Sequence, residues 1–196
     1  MPLLSSEPCL HPHDLFQTES LAHPERRWWV VHTRARAEKS LARAAAQEDV
    51  SYFLPLHQHR WRKEGRLFRS WLPLFPGYLF LHADEQERVR LQETRWAAHV
   101  LPVADQVSLQ QDLMGIYHAL CAGVPLTPER HLPVGARVLI TSGPLAGLEG
   151  TISRQEEKLR LLLEVRFMKQ GVSVEVENWM VAPLEARGTE RVPATC

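Results

Sequence analysis

Residues 74–81, Leu-Phe-Pro-Gly-Tyr-Leu-Phe-Leu, constrain the fold more than any other stretch of the chain. Apolar residues occupy alternate positions on both faces and Pro76 and Gly77 punctuate the entry, so the stretch reads as a strand. With a period of two, Leu74, Pro76, Tyr78 and Phe80 point one way and Phe75, Gly77, Leu79 and Leu81 the other. Burying one face leaves aromatic surface on the second, which needs a covering helix, a second domain or another protein. A chain of 196 residues has few elements to spare for both faces.

At 44% hydrophobic residues the chain can build one ordinary core, or a medium domain plus a small one. Charges and prolines break its apolar runs before bilayer-spanning length, and the N-terminus lacks the basic start and apolar core of a secretory signal. The expected setting is the cytoplasm, without a membrane. Cys9, Cys121 and Cys196 lie far apart and form no CxxC pair, which fits a reducing compartment and excludes a four-cysteine zinc site. Formal net charge is zero, yet residues 1–25 carry four acids and no Lys or Arg, whereas residues 26–69 carry eleven Lys and Arg against four acids. That local excess points to nucleic acid.

Residues 1–25 hold four prolines and no periodicity, so a disordered leader is expected. Cys9-x-His11-x-His13 within it, and His57-x-His59 further on, have metal-like spacing but neither a third nearby ligand nor an orienting shell, so no metal is expected. Trp28-Trp29-Val30-Val31-His32-Thr33 has strand composition and residues 35–48 are strong helix formers. Arg36, Lys39 and Arg43 would share one face of that helix, opposite Ala37, Leu41, Ala44 and Ala45. Residues 51–56 read as a strand, and 57–63 with 66–72 as a hairpin turning at Glu64-Gly65. Its Trp61, Phe68 and Trp71 stand among arginines, suiting either phosphate and base contact or simple solvation. Asp84 and Glu87 form a capping-box start for a helix to about 93, residues 97–103 are a strand, and a helix begins near Ser108 with Leu109, Leu113, Ile116, Tyr117 and Leu120 on one face and Gly123 as its stop.

These elements predict an α+β domain over residues 26–122, an antiparallel-rich sheet with helices on one face. The prolines of 123–133 mark a linker. Residues 134–184 are closely spaced strands with glycines at the corners, hence a small all-β barrel, and 185–196 read as a tail. Gly143 and Gly147 suit turns needing positive φ, and Val138, Ile140 and Ile152 would fill the barrel.

The ordered set of Trp28-Trp29-Val30-Val31-His32-Thr33, Leu74-Phe75-Pro76-Gly77-Tyr78-Leu79-Phe80 and Val134-Gly135-Ala136-Arg137-Val138 with residues 143–150 resembles the NusG family of transcription elongation factors. The second piece is similar to that family's FPGY signature and the third to a KOW motif. The resemblance covers about residues 27–184. It implies an N-terminal domain that rides on the clamp helices of the RNA polymerase largest subunit and suppresses pausing, joined to an SH3-like KOW barrel. It assigns polymerase contact to Val30, His32, Phe75, Pro76, Tyr78 and Phe80, with His32 departing from the aromatic or amide found in relatives. Arg34, Arg36, Lys39, Arg43 and Arg95 would face the non-template DNA strand. Leu161, Leu163, Val165 and Phe167 would recruit the ribosomal protein NusE, or Rho, with the barrel independent of the first domain. The leader and the arginine-rich hairpin look more like the antitermination paralogues of the RfaH, UpxY or LoaP kind than the general factor.

No HExxH, GxSxG, GxxxxGK[ST] or paired CxxC occurs, so the expectation is a monomeric, non-catalytic bacterial antitermination factor without cofactor. The alternative is a KOW-type RNA-binding or ribosome-associated protein.

Overall fold

The computed structural model describes residues 8–17, 24–129, 135–155, 158–177 and 180–184. The strands in chain order are β1 (Leu10–His11), β2 (Arg27–Thr33), β3 (Ser51–Phe53), β4 (Leu56–Lys63), β5 (Arg66–Pro73), β6 (Tyr78–Ala83), β7 (Ala97–Pro102), β8 (Thr127–Glu129), β9 (Ala136–Ile140), β10 (Glu149–Gln155), β11 (Lys158–Val165), β12 (Gln170–Glu175) and β13 (Val181–Pro183). The helices are α1 (Glu38–Gln47), α2 (Glu85–Gln92) and α3 (Gln106–Cys121). As predicted, an α+β N-terminal domain precedes an all-β C-terminal one.

The first sheet runs β1-β3-β6-β2-β7, antiparallel throughout. Its two central strands are apolar on both faces because helices cover both, not one as the sequence suggested. On one side Trp29, Val31, Leu79 and Leu81 pack with Leu41, Ala42 and Ala45 of α1 and Leu91 of α2. On the other Trp28, Val30, Phe53 and Phe80 pack with Leu109, Leu113 and Ile116 of α3. These long helical faces drive assembly through burial rather than propensity. Local signals agree: Asp84 and Glu87 make the expected reciprocal capping box, Asp105 caps α3 by accepting from the Ser108 N–H, and Gly123 ends it at φ +68.

The strand expected at 74–81 begins only at Tyr78. Residues 75–78 turn instead: the Tyr78 N–H donates to the Phe75 carbonyl at 3.1 Å and Gly77 adopts φ +86. The turn breaks the alternation, so Phe75 lands on the same side as Phe80, the two rings meeting edge to face at 5.9 Å.

Nor is the whole leader irregular. β1 pairs with β3, the Leu54 N–H donates to the Cys9 carbonyl at 2.7 Å, and Leu10, Leu15 and Phe16 are buried. Phe16 stacks on Trp28 at 5.8 Å and meets Phe53 edge-on at 5.1 Å, so this segment helps α3 close the aromatic face. Leu15 and Phe16 carry enough apolar area to order a proline-rich segment that lacks periodicity.

The second sheet runs β13-β9-β10-β11-β12-β8. Part of the expected linker therefore belongs to it, since β8 pairs with β12. Gly143 and Gly147 take φ +83 and +88 as expected. Gly150 answers a different demand: a Cβ there would lie 2.5 Å from the Leu162 carbonyl oxygen. Val138 and Ile140 fill the barrel, whereas Ile152 is only half-buried. The proposed tail, 185–196, lies outside the described residues.

The barrel rests on the first domain, contrary to the expected independence. α3 packs against β11 and the 3-10 turn Arg166–Met168. The Arg166 backbone N–H donates to Asp112 Oδ2 at 3.0 Å and its guanidinium to Oδ1 at 2.8 Å, which raises the Arg166 pKa further. Asp112 is a polar residue near the apolar stripe of α3 and finds its partner across the domain boundary. Replacing both Arg166 and Asp112 by Ala removes about 1 kcal/mol of interdomain stabilisation, since the guanidinium is half exposed. NMR relaxation should then report a shorter correlation time for the barrel; unchanged tumbling would assign the docking to apolar contact alone.

Candidate functional site

The FPGY turn is tied to the end of β2 by a backbone bond and to the start of α1 by a side-chain carboxylate. Thr33 donates to the Gly77 carbonyl at 2.8 Å, and the Gly77 N–H donates to the Glu38 carboxylate at 2.7 Å. Glu38 is buried at the first turn of α1, where a carboxylate favours the helix dipole as it holds the turn. The turn and the arginine segment 34–36 are thus one rigid corner.

Of the six positions assigned to polymerase contact, the structure divides three from three. Val30, Phe75 and Phe80 are 0%, 1% and 0% exposed and belong to the core, because α3 and the leader residues cover their face. Pro76 is exposed, and His32 and Tyr78 are half-buried. The His32 ring lies 5.2 Å from Tyr78, edge to face, and stacks 6.4 Å from His99. A register shift between His32 and Thr33 turns the strand end at this point. The outcome is a polar-aromatic rim over an aromatic floor. His99 was not foreseen, because only the pairing of β2 with β7 brings it beside His32.

Four of the five basic positions, Arg34, Arg36, Lys39 and Arg95, are gathered beside that rim, and Arg43 lies further along α1. Arg34 donates its backbone N–H to the Trp96 carbonyl at 2.9 Å, which places it next to Arg95, whose guanidinium sits 5.3 Å from the Trp96 ring centroid. Arg34, Arg36, Arg43 and Arg95 are exposed, whereas Lys39 is half-buried and donates Nζ to the Trp71 carbonyl at 2.7 Å. Arg36 does not share a helical face with Lys39 and Arg43 as predicted. It precedes α1 at φ +59, so its side chain projects from the corner rather than the helix. A cleft of about 830 Å³ is lined by Pro76, Arg36 and Lys39, by His57 and Trp71 of the hairpin, and by Glu129 and Gln170 of the second sheet. Burial, then the charge of His59, holds His57 below its ordinary pKa.

The four barrel positions are corrected likewise. Leu161, Leu163 and Val165 are buried with Val138, Val172 and Val174, because the second sheet turns that whole face inward onto its own core. Only Phe167, 39% exposed, is available to a partner. Leu162, on the outer face, lines a cleft of about 770 Å³ shared with Tyr117 and His118 of α3.

Among the described residues no three His, Cys, Asp or Glu side chains gather as a metal site, and His11 bonds Asp49 at 3.1 Å instead. No helix among them is long and apolar enough to cross a membrane.

Residues 26–115 match the family model described as "Transcription termination factor nusG". No curated protein sequence matches the chain. A solved structure described as "Domain interaction in Thermotoga maritima NusG" is similar at a TM-score of 0.47 and 19% identity, over 82% of this chain and 98% of that one.

Proposed function

Residues 26–115 are a NusG-family domain, and from that premise we propose that the protein is a non-catalytic transcription elongation and antitermination factor that binds RNA polymerase through this domain. The observation that carries the reading is the continuity of the His32, Pro76 and Tyr78 rim with the exposed arginines 34, 36 and 95. A polar-aromatic rim flanked by cations suits a factor that grips a protein helix pair and a nucleic-acid strand at once.

In this reading the rim meets the clamp helices of the polymerase largest subunit, with Val30, Phe75 and Phe80 as the floor that fixes its shape. Arg34, Arg36, Lys39, Arg43 and Arg95 meet the non-template strand. The protein acts as a monomer in the bacterial cytoplasm. After leaving α3, the barrel recruits NusE or Rho, with Phe167 as its available anchor. A specialised paralogue would occupy a few operons and a general factor nearly all, which genome-wide occupancy separates.

The test is retention of the full chain by purified core polymerase free of ribosomes; failure to bind, with retention by ribosomes instead, overturns the reading. Reversing Arg36 and Arg43 to Glu should abolish single-strand crosslinking in the elongation complex and lower the salt slope of binding by about one per phosphate contact removed. Unchanged crosslinking would make these arginines solvated surface.

A further inference from the structure

β4 and β5 form a two-stranded sheet of their own, separate from both larger sheets. Glu64 and Gly65, at φ +52 and +75, close it as a tight two-residue turn. Eight-residue strands make a ribbon about 27 Å long at ~3.4 Å per residue. Nothing packs on most of it: Trp61 and Phe68 are each 40% exposed and Leu67 is 52% exposed. A bare two-stranded ribbon is marginal in water, and this one displays large apolar side chains where polar ones would be cheaper to solvate.

The register separates most of the rings from most of the arginines, although Arg66 falls on the ring face and Leu67 and Trp71 fall on the arginine face. On one face Trp61 stands opposite Phe68 and His59 opposite Ser70. The rings form a parallel ladder, His59 to Trp61 at 5.5 Å and 23°, Trp61 to Phe68 at 5.6 Å and 17°. On the other face Arg60 stands directly opposite Arg69, and Arg62 follows toward the tip. Lys63 opposes Arg66 at the turn. Like charges directly opposed weaken a strand pair, yet Arg60 stands opposite Arg69, and the single acid of the ribbon is Glu64. Among the described residues no carboxylate pairs with Arg60, Arg62, Arg66 or Arg69. A polyanion laid along the ribbon would relieve that repulsion.

We propose that the β4–β5 ribbon is a binding site for single-stranded nucleic acid, with bases stacking on the His59, Trp61 and Phe68 ladder and phosphates held by Arg60, Arg62, Arg66 and Arg69. Ring ladder and cations together select this ligand. A duplex hides its base faces, so only unpaired bases can use the rings, while the guanidinium groups reach round both open edges of the ribbon to the backbone. The site is distinct from the basic corner at Arg34 and Arg36 and requires no polymerase.

The experiment is fluorescence anisotropy of labelled 12-nucleotide single strands, DNA and RNA in separate arms, titrated with the full chain over a range of salt. Trp61→Ala with Phe68→Ala should weaken binding at least about tenfold without changing the salt slope, whereas Trp61→Tyr with Phe68→Tyr should restore most of it. Arg60→Gln with Arg69→Gln should lower that slope by about two. A preference between the arms would show whether the 2′-hydroxyl contributes. Equal affinity for duplex and single strand, wild-type binding by the aromatic variant, or binding to anionic vesicles in place of oligonucleotides would each overturn the proposal. Loss on reversing Arg36 and Arg43 with the ribbon variants unaffected would overturn it while leaving the polymerase reading intact.

Discussion

Phe80→Ala should lower the unfolding free energy by about 3–5 kcal/mol, seen as a large fall in the denaturant midpoint. Phe80 is fully buried on β6, the strand hydrogen-bonded to both β2 and β3, so the sheet cannot collapse into the space its ring leaves. Its ring faces Phe75 at 5.9 Å and Phe53 at 6.4 Å, and both lose aromatic contact. A cost near this size makes Phe80 a core residue that supports the His32 and Tyr78 rim from beneath. A small loss of stability with a large loss of polymerase binding would instead mean that α3 and the leader residues leave this face open in solution.

The same residue marks how far the sequence could be read. Composition and period identified nearly every element, because Trp28 to Thr33, the Asp84 capping box and the Glu64-Gly65 turn each carry a local signal strong enough to match the final structure. The aromatic surplus on the face of Phe80 was legible too, and so was its demand for a cover. What covered it was not legible, because that depends on contacts distant in sequence. Phe16 meets Tyr117 at 5.0 Å across about a hundred residues, and nothing in the proline-rich leader announces that pairing. Alternation also failed at Gly77, where a positive φ resets which side each residue takes. That reset moved Phe75 to the side of Phe80, where both rings are buried.

The arginines fared differently. Their identity as a cluster was readable from composition, but their grouping was not, since Arg34 and Arg95 meet through the Trp96 carbonyl and Arg36 leaves the helix it was expected to join. Barrel residues erred for a simpler reason. A strand with apolar residues at every second position signals a buried face, and in a strongly curved sheet that face is the core, so Leu161, Leu163 and Val165 are core rather than contact.

Tyr78→Ala should weaken polymerase affinity about thirtyfold while leaving the melting temperature nearly unchanged. The contrast with Phe80 is one of position. Tyr78 opens β6 at the end of the FPGY turn, half-buried, with its ring against His32 at 5.2 Å, so truncation exposes a rim and opens no enclosed void. An aromatic anchor at an interface typically contributes about 2 kcal/mol or more, which is the thirtyfold loss expected. Tyr78→Phe separates ring from hydroxyl: near-complete retention would show that the rim binds by apolar contact, and a loss like that of Ala would assign the affinity to the hydroxyl. His32→Ala tests the same surface from β2, and coupling between the two substitutions in a double-mutant cycle follows if both rings meet the same helix pair. Wild-type affinity in Tyr78→Ala and in the double variant would move the polymerase contact away from this rim, to a surface that the buried aromatics do not support.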